Sequence, residues 1–199
     1  KQKLRAINSE IEIEAHVADV DHNNIATLAE GADILLDGTD NFETRFLLND
    51  AAMKFNVPWV YGGCIGAEGQ TMTILPGETP CLRCLMQDAP PPGTTPTCDN
   101  AGILSSIINV IASIEACEAL KILSGNRGAI NTQLTIFDLW ENRIHDVQQS
   151  IISLARRATG QPQRGALRAK FCAAQFSRPG QPVARSARRK AGWCRKGRP

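Results

Sequence analysis

The chain has 199 residues, 43% of them hydrophobic, so it is long enough to bury a core and wholesale disorder is excluded. Its charge is split by position: residues 1–148 carry 9 Lys and Arg with all 20 Asp and Glu, whereas residues 149–199 carry 13 Lys and Arg and no acid. The negative charge of the first part argues against nucleic acid as its partner, since phosphate binding needs clustered basic residues.

Strand and helix patterns alternate through the first third of the chain. Residues 11–17 alternate like a strand, and residues 22–28 have the pattern of a short helix. Residues 34–36 are an apolar run typical of a strand buried on both faces. A helix over residues 43–55 and a strand over residues 57–61 follow. This order predicts an α/β fold with parallel, doubly wound pairing through a right-handed crossover.

The pattern changes after Gly62. Residues 70–75 and 133–137 alternate with threonine, which predicts more exposed and antiparallel strands. Between them, residues 101–123 predict a long helix closed by Gly125. Most of its surface is apolar, so we expect burial on most sides, either in the core of a monomer or at a subunit interface. Cys64 and Cys117 are interpreted as core residues.

Polar side chains follow the predicted strand at residues 34–36. In doubly wound sheets, ligands bind beyond the carboxyl ends of the strands, and Asp37 and Asp40 fall at such an end. Carboxylates there can hold Mg²⁺ against nucleotide phosphates, or can cap a helix. Thr39 and Asn41 add groups that could bind a ligand or cap the helix over residues 43–55.

Two cysteines, Cys81 and Cys84, have the spacing of a zinc knuckle, which brings two thiolates to one metal ion. A redox pair is the alternative, but such a pair usually lies where a strand meets a helix, and this one follows the Pro-Gly-rich residues 76–80. A structural zinc site needs two more ligands. The spacing therefore predicts half of a zinc site.

Cys98 follows a proline-rich loop and precedes the predicted long helix, for which Asp99 or Asn100 could be the N-cap. A helix N-terminus lowers the pKa of a thiol, while a neighbouring carboxylate opposes that effect, so both a reactive and an inert Cys98 stay open. The seven cysteines are an odd number, and no secretory segment opens the chain. These features favour a reducing, cytoplasmic location. No segment is apolar enough to predict a membrane span.

Five segments together resemble the ThiF/MoeB/HesA family of E1-like enzymes. They are residues 36–45 (LDGTDNFETR), 58–63 (PWVYGG), 69–70 (GQ), 80–84 (PCLRC) and 98–102 (CDNAG). The resemblance covers about residues 1–147. It implies a partial Rossmann-like nucleotide-binding fold with an added antiparallel region and a long buried helix. It also implies ATP-dependent adenylation of the C-terminal glycine of a ubiquitin-like sulfur carrier in thiamine or molybdopterin sulfur transfer.

The resemblance also implies roles for single residues. Asp40 would engage Mg²⁺ and ATP, and Asn41 would line the nucleotide site. Cys98 matches the cysteine that some members link covalently to the carrier, as a thioester or acyl-disulfide. Cys81 and Cys84 match the first pair of the family's four-cysteine Zn²⁺ site. A homodimer is expected.

Two departures from the family pattern limit this expectation. The glycine-rich phosphate loop of the family would lie upstream of Lys1, so residues 1–147 are expected to be the second half of the adenylation domain, and the chain alone could be inactive. The second Cys pair is absent where residues 148–199 form a basic tail, expected to be disordered or non-native. The alternatives are therefore a non-catalytic carrier-binding or dimerisation module and, less favoured, a nucleic-acid binder acting through the tail.

Overall fold

A computed structural model of the chain describes residues 1–86, 88, 90 and 101–147. Cys98 and the basic tail at residues 148–199 lie outside those residues. The described part contains five helices, one 3₁₀ turn and five strands. In chain order they are α1 (Gln2–Ile7), α2 (Ile25–Ala29), β1 (Leu35–Leu36), α3 (Phe42–Phe55), β2 (Trp59–Ile65), β3 (Glu68–Ile74), α4 (Leu82–Leu85), α5 (Ser105–Leu123), the 3₁₀ turn Arg127–Ala129, β4 (Leu134–Asp138) and β5 (Arg143–Val147).

The strands form one sheet in the order β1-β2-β3-β4-β5. β1 pairs with β2 in parallel, and each later pair is antiparallel. The predicted parallel strand–helix–strand unit and the predicted antiparallel region are therefore both confirmed. The expected exposure of the later strands is wrong for β3, which is buried over Thr71–Ile74 because helices cover both faces of the sheet.

The core lies on both faces of β2 and β3. On one face, α3 and α4 pack against aromatic and sulfur-containing side chains, with Phe46, Trp59, Tyr61, Met72 and Leu82 at the centre. On the other face, α5 packs across β2 and β3. β1 pairs with β2, so the carboxyl end of β1 lies beside this core, and the candidate site is at that end.

The predicted strand over residues 11–17 is wrong. No strand forms there, and Ile11 and Val17 are exposed, Val17 completely. Alternation favours a strand only where a neighbouring strand supplies hydrogen bonds, and none of the described strands pairs with this segment. Leu36 in β1 is 47% exposed, so the predicted burial on both faces is also wrong, and β1 lies at the edge of the sheet that the described residues form.

The long helix α5 is predicted correctly in type but not in burial. It begins at Ser105 with Leu104 as N-cap, later than expected, so neither Asp99 nor Asn100 caps it. Gly125 follows its end with φ +76°, as expected for a left-handed glycine after a helix. Only one stripe is buried, because only one face meets the sheet. Cys117 is exposed and Cys64 is half-buried, so neither is the fully buried core residue expected.

We expect Gly69→Ala to destabilise the fold by roughly 1–3 kcal/mol, the usual cost of overpacking a core. A Cβ at this position would lie 2.6 Å from Ile111 and 2.7 Å from Ile107, on the buried side of α5. Gly38→Ala is the control, since a Cβ there meets nothing within 4 Å. Urea denaturation of both variants measures the difference, and an equal loss for both would contradict this account of the packing.

No helix among residues 1–86 and 101–147 is long and apolar enough to cross a membrane.

Candidate functional site

The loop that joins β1 to α3 carries the predicted acidic residues, and Asp37 is fully buried within it. Asp37 accepts hydrogen bonds from the Thr39 backbone N–H at 2.9 Å and from the Thr39 hydroxyl at 2.7 Å. Its other oxygen accepts from Arg45 Nε at 3.2 Å, and its side chain is 0% exposed. Asp37 therefore orders the loop and does not face a ligand.

Arg45, on the first turns of α3, reaches back over the loop. Its Nη2 donates to the Thr39 carbonyl at 2.6 Å. Its guanidinium lies 5.7 Å from the centre of the Phe42 ring and 5.8 Å from that of Tyr61, both within cation–π range. We call the buried ion pair of Asp37 and Arg45 the Asp37–Arg45 brace. It fixes the path of the chain from the end of β1 to the start of α3.

The brace leaves Asp40 exposed between β1 and α3. Asp40 Oδ1 accepts a hydrogen bond from Asn41 Nδ2 at 3.2 Å, and Asn41 Oδ1 caps α3 by accepting from the Thr44 N–H at 2.8 Å. The capping alternative is thus confirmed for Asn41. An exposed carboxylate next to a helix N-terminus offers one group for a cation and a positive dipole for a phosphate.

Sequence reasoning missed Glu115, which lies behind this loop on the buried stripe of α5. Glu115 is 7% exposed, and its carboxyl group fills the space that a side chain at Gly62 would need. Burial, reinforced by the charge of Asp37 and opposed by that of Arg45, raises the pKa of Glu115 to about 8. The sequence does contain a signal for a buried acid here, because Glu115 falls on the same helix face as Ile107 and Ile111.

Tyr61 borders the same region from β2. Its hydroxyl accepts a hydrogen bond from Gln70 Nε2 at 2.8 Å. Burial raises the pKa of Tyr61 to about 12, with Arg45 opposing the shift. Tyr61 is therefore neutral at physiological pH and acts as an aromatic wall beside Arg45.

The predicted cysteine pair forms a tight turn at the start of α4. Both residues are buried, and their sulfur atoms are 3.3 Å apart. Cys84 Sγ accepts from the Cys81 N–H at 3.0 Å, and Cys81 Sγ accepts from the N–H of Cys84. The sulfur separation is well beyond a disulfide bond of about 2.04 Å and near the roughly 3.8 Å edge of a tetrahedron with Zn–S bonds of about 2.3 Å. The turn is thus a pair of thiols shaped like half of a metal site.

α3 clamps this turn as well. Asn49 Oδ1 accepts from the Leu82 N–H at 2.9 Å. Asp50 accepts two hydrogen bonds from Arg83, at 2.8 and 2.7 Å, and the Arg83 guanidinium covers the Phe46 ring at 4.9 Å. The loop with Asp40 is therefore held by the first turns of α3, and the cysteine turn by the middle of the same helix.

A family model described as the ThiF family matches residues 1–152. The chain belongs to the ThiF family. The resemblance stated from the sequence motifs is thereby confirmed.

Three relatives of this ThiF-family chain are 35–43% identical to it over the aligned residues. The sulfur carrier protein ThiS adenylyltransferase of Bacillus subtilis is 43% identical over 148 residues, which cover 74% of this chain and 43% of that protein. The SAMP-activating enzyme E1 of Haloferax volcanii is 37% identical and covers 68% of this chain and 50% of that protein. The sulfur carrier protein adenylyltransferase of Thermus thermophilus is 35% identical and covers 71% and 54%. The chain spans about half the length of these relatives.

Solved structures confirm the fold class. E. coli MccB with succinimide superposes with a TM-score of 0.61 at 19% identity, over 74% of this chain and 46% of MccB. MccB with ATP superposes with a TM-score of 0.60 at 18% identity, over 74% and 45%. The mixed α/β, Rossmann-type fold expected from the sequence of this ThiF-family chain is therefore correct.

The structure separates the predicted site residues of this ThiF-family chain into two groups. Asp40 and Asn41 lie together before α3, and Cys81 and Cys84 lie together at α4. Cys98 lies outside the described residues. Within the described part, no group of three or more Cys, His, Asp or Glu side chains forms a metal cluster, so the two thiols supply two ligands and no more.

Proposed function

We propose that this chain contributes the β1–α3 part of a nucleotide site in ATP-dependent adenylation of the C-terminal glycine of a ubiquitin-like sulfur carrier, in thiamine or molybdopterin sulfur transfer. The observation that carries the proposal is the exposed Asp40, presented by a buried ion pair beside the N-terminus of α3. The 43% identity to a ThiS adenylyltransferase supports it.

The chemistry needs positioning and charge neutralisation more than acid–base groups. The carboxylate of the carrier attacks the α-phosphate of ATP, an acyl-adenylate forms, and pyrophosphate leaves. Asp40 would hold Mg²⁺, which offsets the phosphate charge when bound. Asn41 lines the nucleotide site while it caps α3, and its amide group orients the Asp40 carboxylate.

A second step assigns Cys98 to a covalent link with the carrier. Its thiolate attacks the carbonyl carbon of the acyl-adenylate, a thioester forms, and AMP leaves with the bonding electron pair. An acyl-disulfide is the alternative where Cys98 itself bears a persulfide: the outer sulfur of that persulfide attacks the same carbonyl carbon, a C–S bond forms, and AMP leaves. The proposal for Cys98 rests on its place in the family motif at residues 98–102.

Cys81 and Cys84 are proposed as two ligands of a Zn²⁺ ion whose other ligands lie outside the described residues. The two N–H···S hydrogen bonds and the 3.3 Å sulfur separation fit deprotonated thiols at a metal. The role of the ion would be structural, since a zinc ion that is closed off by four protein ligands has no open position for a substrate. Thiols of this kind persist in a reducing compartment, so we infer a cytoplasmic location.

We expect Cys81→Ser to reduce bound zinc from about one ion per chain to background, with a lower thermal unfolding midpoint, since metal affinity adds to folding stability. Cys117→Ser is the matched control, because Cys117 is exposed on α5. Zinc is measured by atomic emission after dialysis, and the midpoint by calorimetry. Purified wild-type protein without zinc would contradict the proposal.

The proposed assembly is a homodimer. Large apolar side chains are exposed near both ends of α5 and at the residue before it: Leu104, Ile108, Leu120 and Leu123. Exposed apolar side chains of this size support an association surface on α5. This surface also favours the second candidate function, a non-catalytic module that binds the carrier or dimerises.

Carrier-dependent exchange of labelled pyrophosphate into ATP tests the proposed function. We expect exchange with an intact ubiquitin-like carrier and none with a carrier that lacks its C-terminal glycine. Carrier binding without exchange would select the non-catalytic module instead. An absence of both would refute both candidates.

A further inference from the structure

Glu115 is a buried acid without a described hydrogen-bond partner. It lies on the face of α5 that meets the sheet, and its carboxyl group packs against the backbone of β2 at Gly62. Among the described residues, no side chain or backbone group donates a hydrogen bond to it. A carboxylate in such surroundings would lose its hydration without compensation, so the neutral acid is favoured.

Glu118, one turn further along α5, shows the contrast. It is equally buried, but it accepts hydrogen bonds from the Thr73 hydroxyl at 3.2 Å and from the Asn131 N–H at 3.0 Å. It also forms an ion pair with Lys121 at 2.5 Å. Glu115 and Glu118 are therefore alike in burial, and they differ in that only Glu118 has partners that compensate for lost hydration.

The location of Glu115 connects it to the loop of Asp40. The Asp37 N–H donates to the carbonyl of Val60 at 3.1 Å, and Val60 is two residues before Gly62 on β2. Tyr61, between Val60 and Gly62, has its ring 5.8 Å from the Arg45 guanidinium. Consecutive residues of β2 therefore contact both residues of the Asp37–Arg45 brace and the carboxyl group of Glu115. When Glu115 is neutral, Arg45 interacts with the Asp37 carboxylate without competition. When Glu115 is ionised, its carboxylate would repel Asp37 and attract Arg45.

We propose that protonated Glu115 is a positioning residue of the nucleotide site, and that its ionisation loosens the Asp37–Arg45 brace and so the loop that presents Asp40. The inference rests on the proposed function, because it assigns that loop to Mg²⁺ and ATP. It adds a pH-dependent control from the opposite face of the sheet.

Other charged or titratable groups occur on every element near Glu115, but only the two residues of the brace act on it as charges. Glu118 and Lys121 on its own helix are paired with each other. Cys117 also lies on α5, and the groups on the elements packed against α5 are Tyr61 and Cys64 on β2, Glu68 at the exposed start of β3 and Arg127 in the 3₁₀ turn.

The sign of the pH effect follows from linkage. The ordinary pKa of a glutamate is 4.5, whereas in the folded chain the pKa of Glu115 is raised to about 8. The folded protein therefore holds the proton more tightly than the unfolded chain. The stabilising contribution of this proton is complete below pH 4.5, declines as the pH rises towards 8, and is lost above it.

Nuclear magnetic resonance on the whole chain tests the proposal without any ligand. The carboxyl ¹³C signal of Glu115 is assigned by its disappearance in Glu115→Gln, and the Nε–H signal of Arg45 by its disappearance in Arg45→Lys. We expect the Glu115 signal to titrate with a midpoint near 8, and the Arg45 signal to shift with the same midpoint. In Glu115→Gln the Arg45 signal should not shift over this range.

A Glu115 midpoint near the ordinary 4.5, or an Arg45 signal that ignores the Glu115 titration, would overturn the proposal. The wild-type titration needs no variant, so poor folding of Glu115→Gln would not prevent a decision. Glu141→Gln, which removes an exposed acid from the hairpin between β4 and β5, controls for the change in net charge.

Binding of Mg²⁺-ATP to the same samples connects the brace to the nucleotide. We expect affinity to weaken several-fold between pH 7 and pH 9 in the wild type and in Glu141→Gln, and to stay constant in Glu115→Gln. A parallel decline in all three proteins would refute the link between Glu115 and the site. If the wild type binds no Mg²⁺-ATP at pH 7, the proposed function fails, while the resonance data still decide whether Glu115 controls the brace.

Discussion

Asp40→Asn should lower carrier-dependent pyrophosphate exchange by about 10²–10³-fold, the usual effect of removing one electrostatic group that stabilises a transition state. The asparagine keeps the size of the side chain and its exposure before α3, but loses the charge that would hold Mg²⁺. The loss should appear in the turnover rate and in the Mg²⁺ concentration needed for half-maximal exchange.

Asp33→Asn is the matched control for Asp40→Asn. Asp33 is also exposed and lies just before β1, at the opposite end of the strand from Asp40, so the same change of charge occurs away from the site. Equal rates for Asp40→Asn and the wild type would remove Asp40 from the mechanism. Equal losses in both variants would indicate a general effect of net charge.

Asp37→Ala should be the most destabilising single change in the loop, with a loss of about 3–5 kcal/mol, because it leaves a buried cation without its partner. Arg45 has 9% of its side chain exposed and no room to reach solvent without leaving the Phe42 and Tyr61 rings. The Thr39 N–H and hydroxyl would also lose their shared acceptor. Equilibrium unfolding in urea measures the loss.

A double-mutant cycle separates the ion pair from the loop hydrogen bonds. Asp37→Ala combined with Arg45→Met should cost less than the sum of the two single changes, since the second change removes the stranded cation. Additive losses would show that the two side chains do not depend on each other. A loss below about 1 kcal/mol for Asp37→Ala, the level of an ordinary surface pair, would mean that the brace contributes little.

Local patterns predicted those elements whose signals are carried by neighbouring residues. The cap at Asn41 and the glycine at position 125 depend on contacts within a few residues, and both are found. The two strands around α3 are found as well, because one helix brings each to the other as its pairing partner. Residues 11–17 show the limit of this approach. Their alternation is a local feature, but a strand also needs a partner, and sequence alternation does not supply one.

The roles of the acids depended on contacts that sequence spacing does not show. Asp37 and Asp40 look equivalent in the sequence, and only the return of Arg45 over the loop makes one structural and leaves the other exposed. Glu115 has the register of a buried residue, yet its importance depends on Gly62, more than 50 positions away in the chain. The many apolar residues of α5 predicted burial on most sides of the helix, but the sheet covers only one of its faces.

The double attachment of α3 constrains how this protein can vary in length. Asn41 caps the helix before Phe42, while Asn49 and Asp50 grip the cysteine turn from the same helix. Each residue inserted between them would rotate the grip by about 100° around the helix axis and shift it by about 1.5 Å. Insertions and deletions should therefore be absent from residues 42–50 in homologues that keep the function. Point substitutions on the solvent-facing side of α3 should be tolerated.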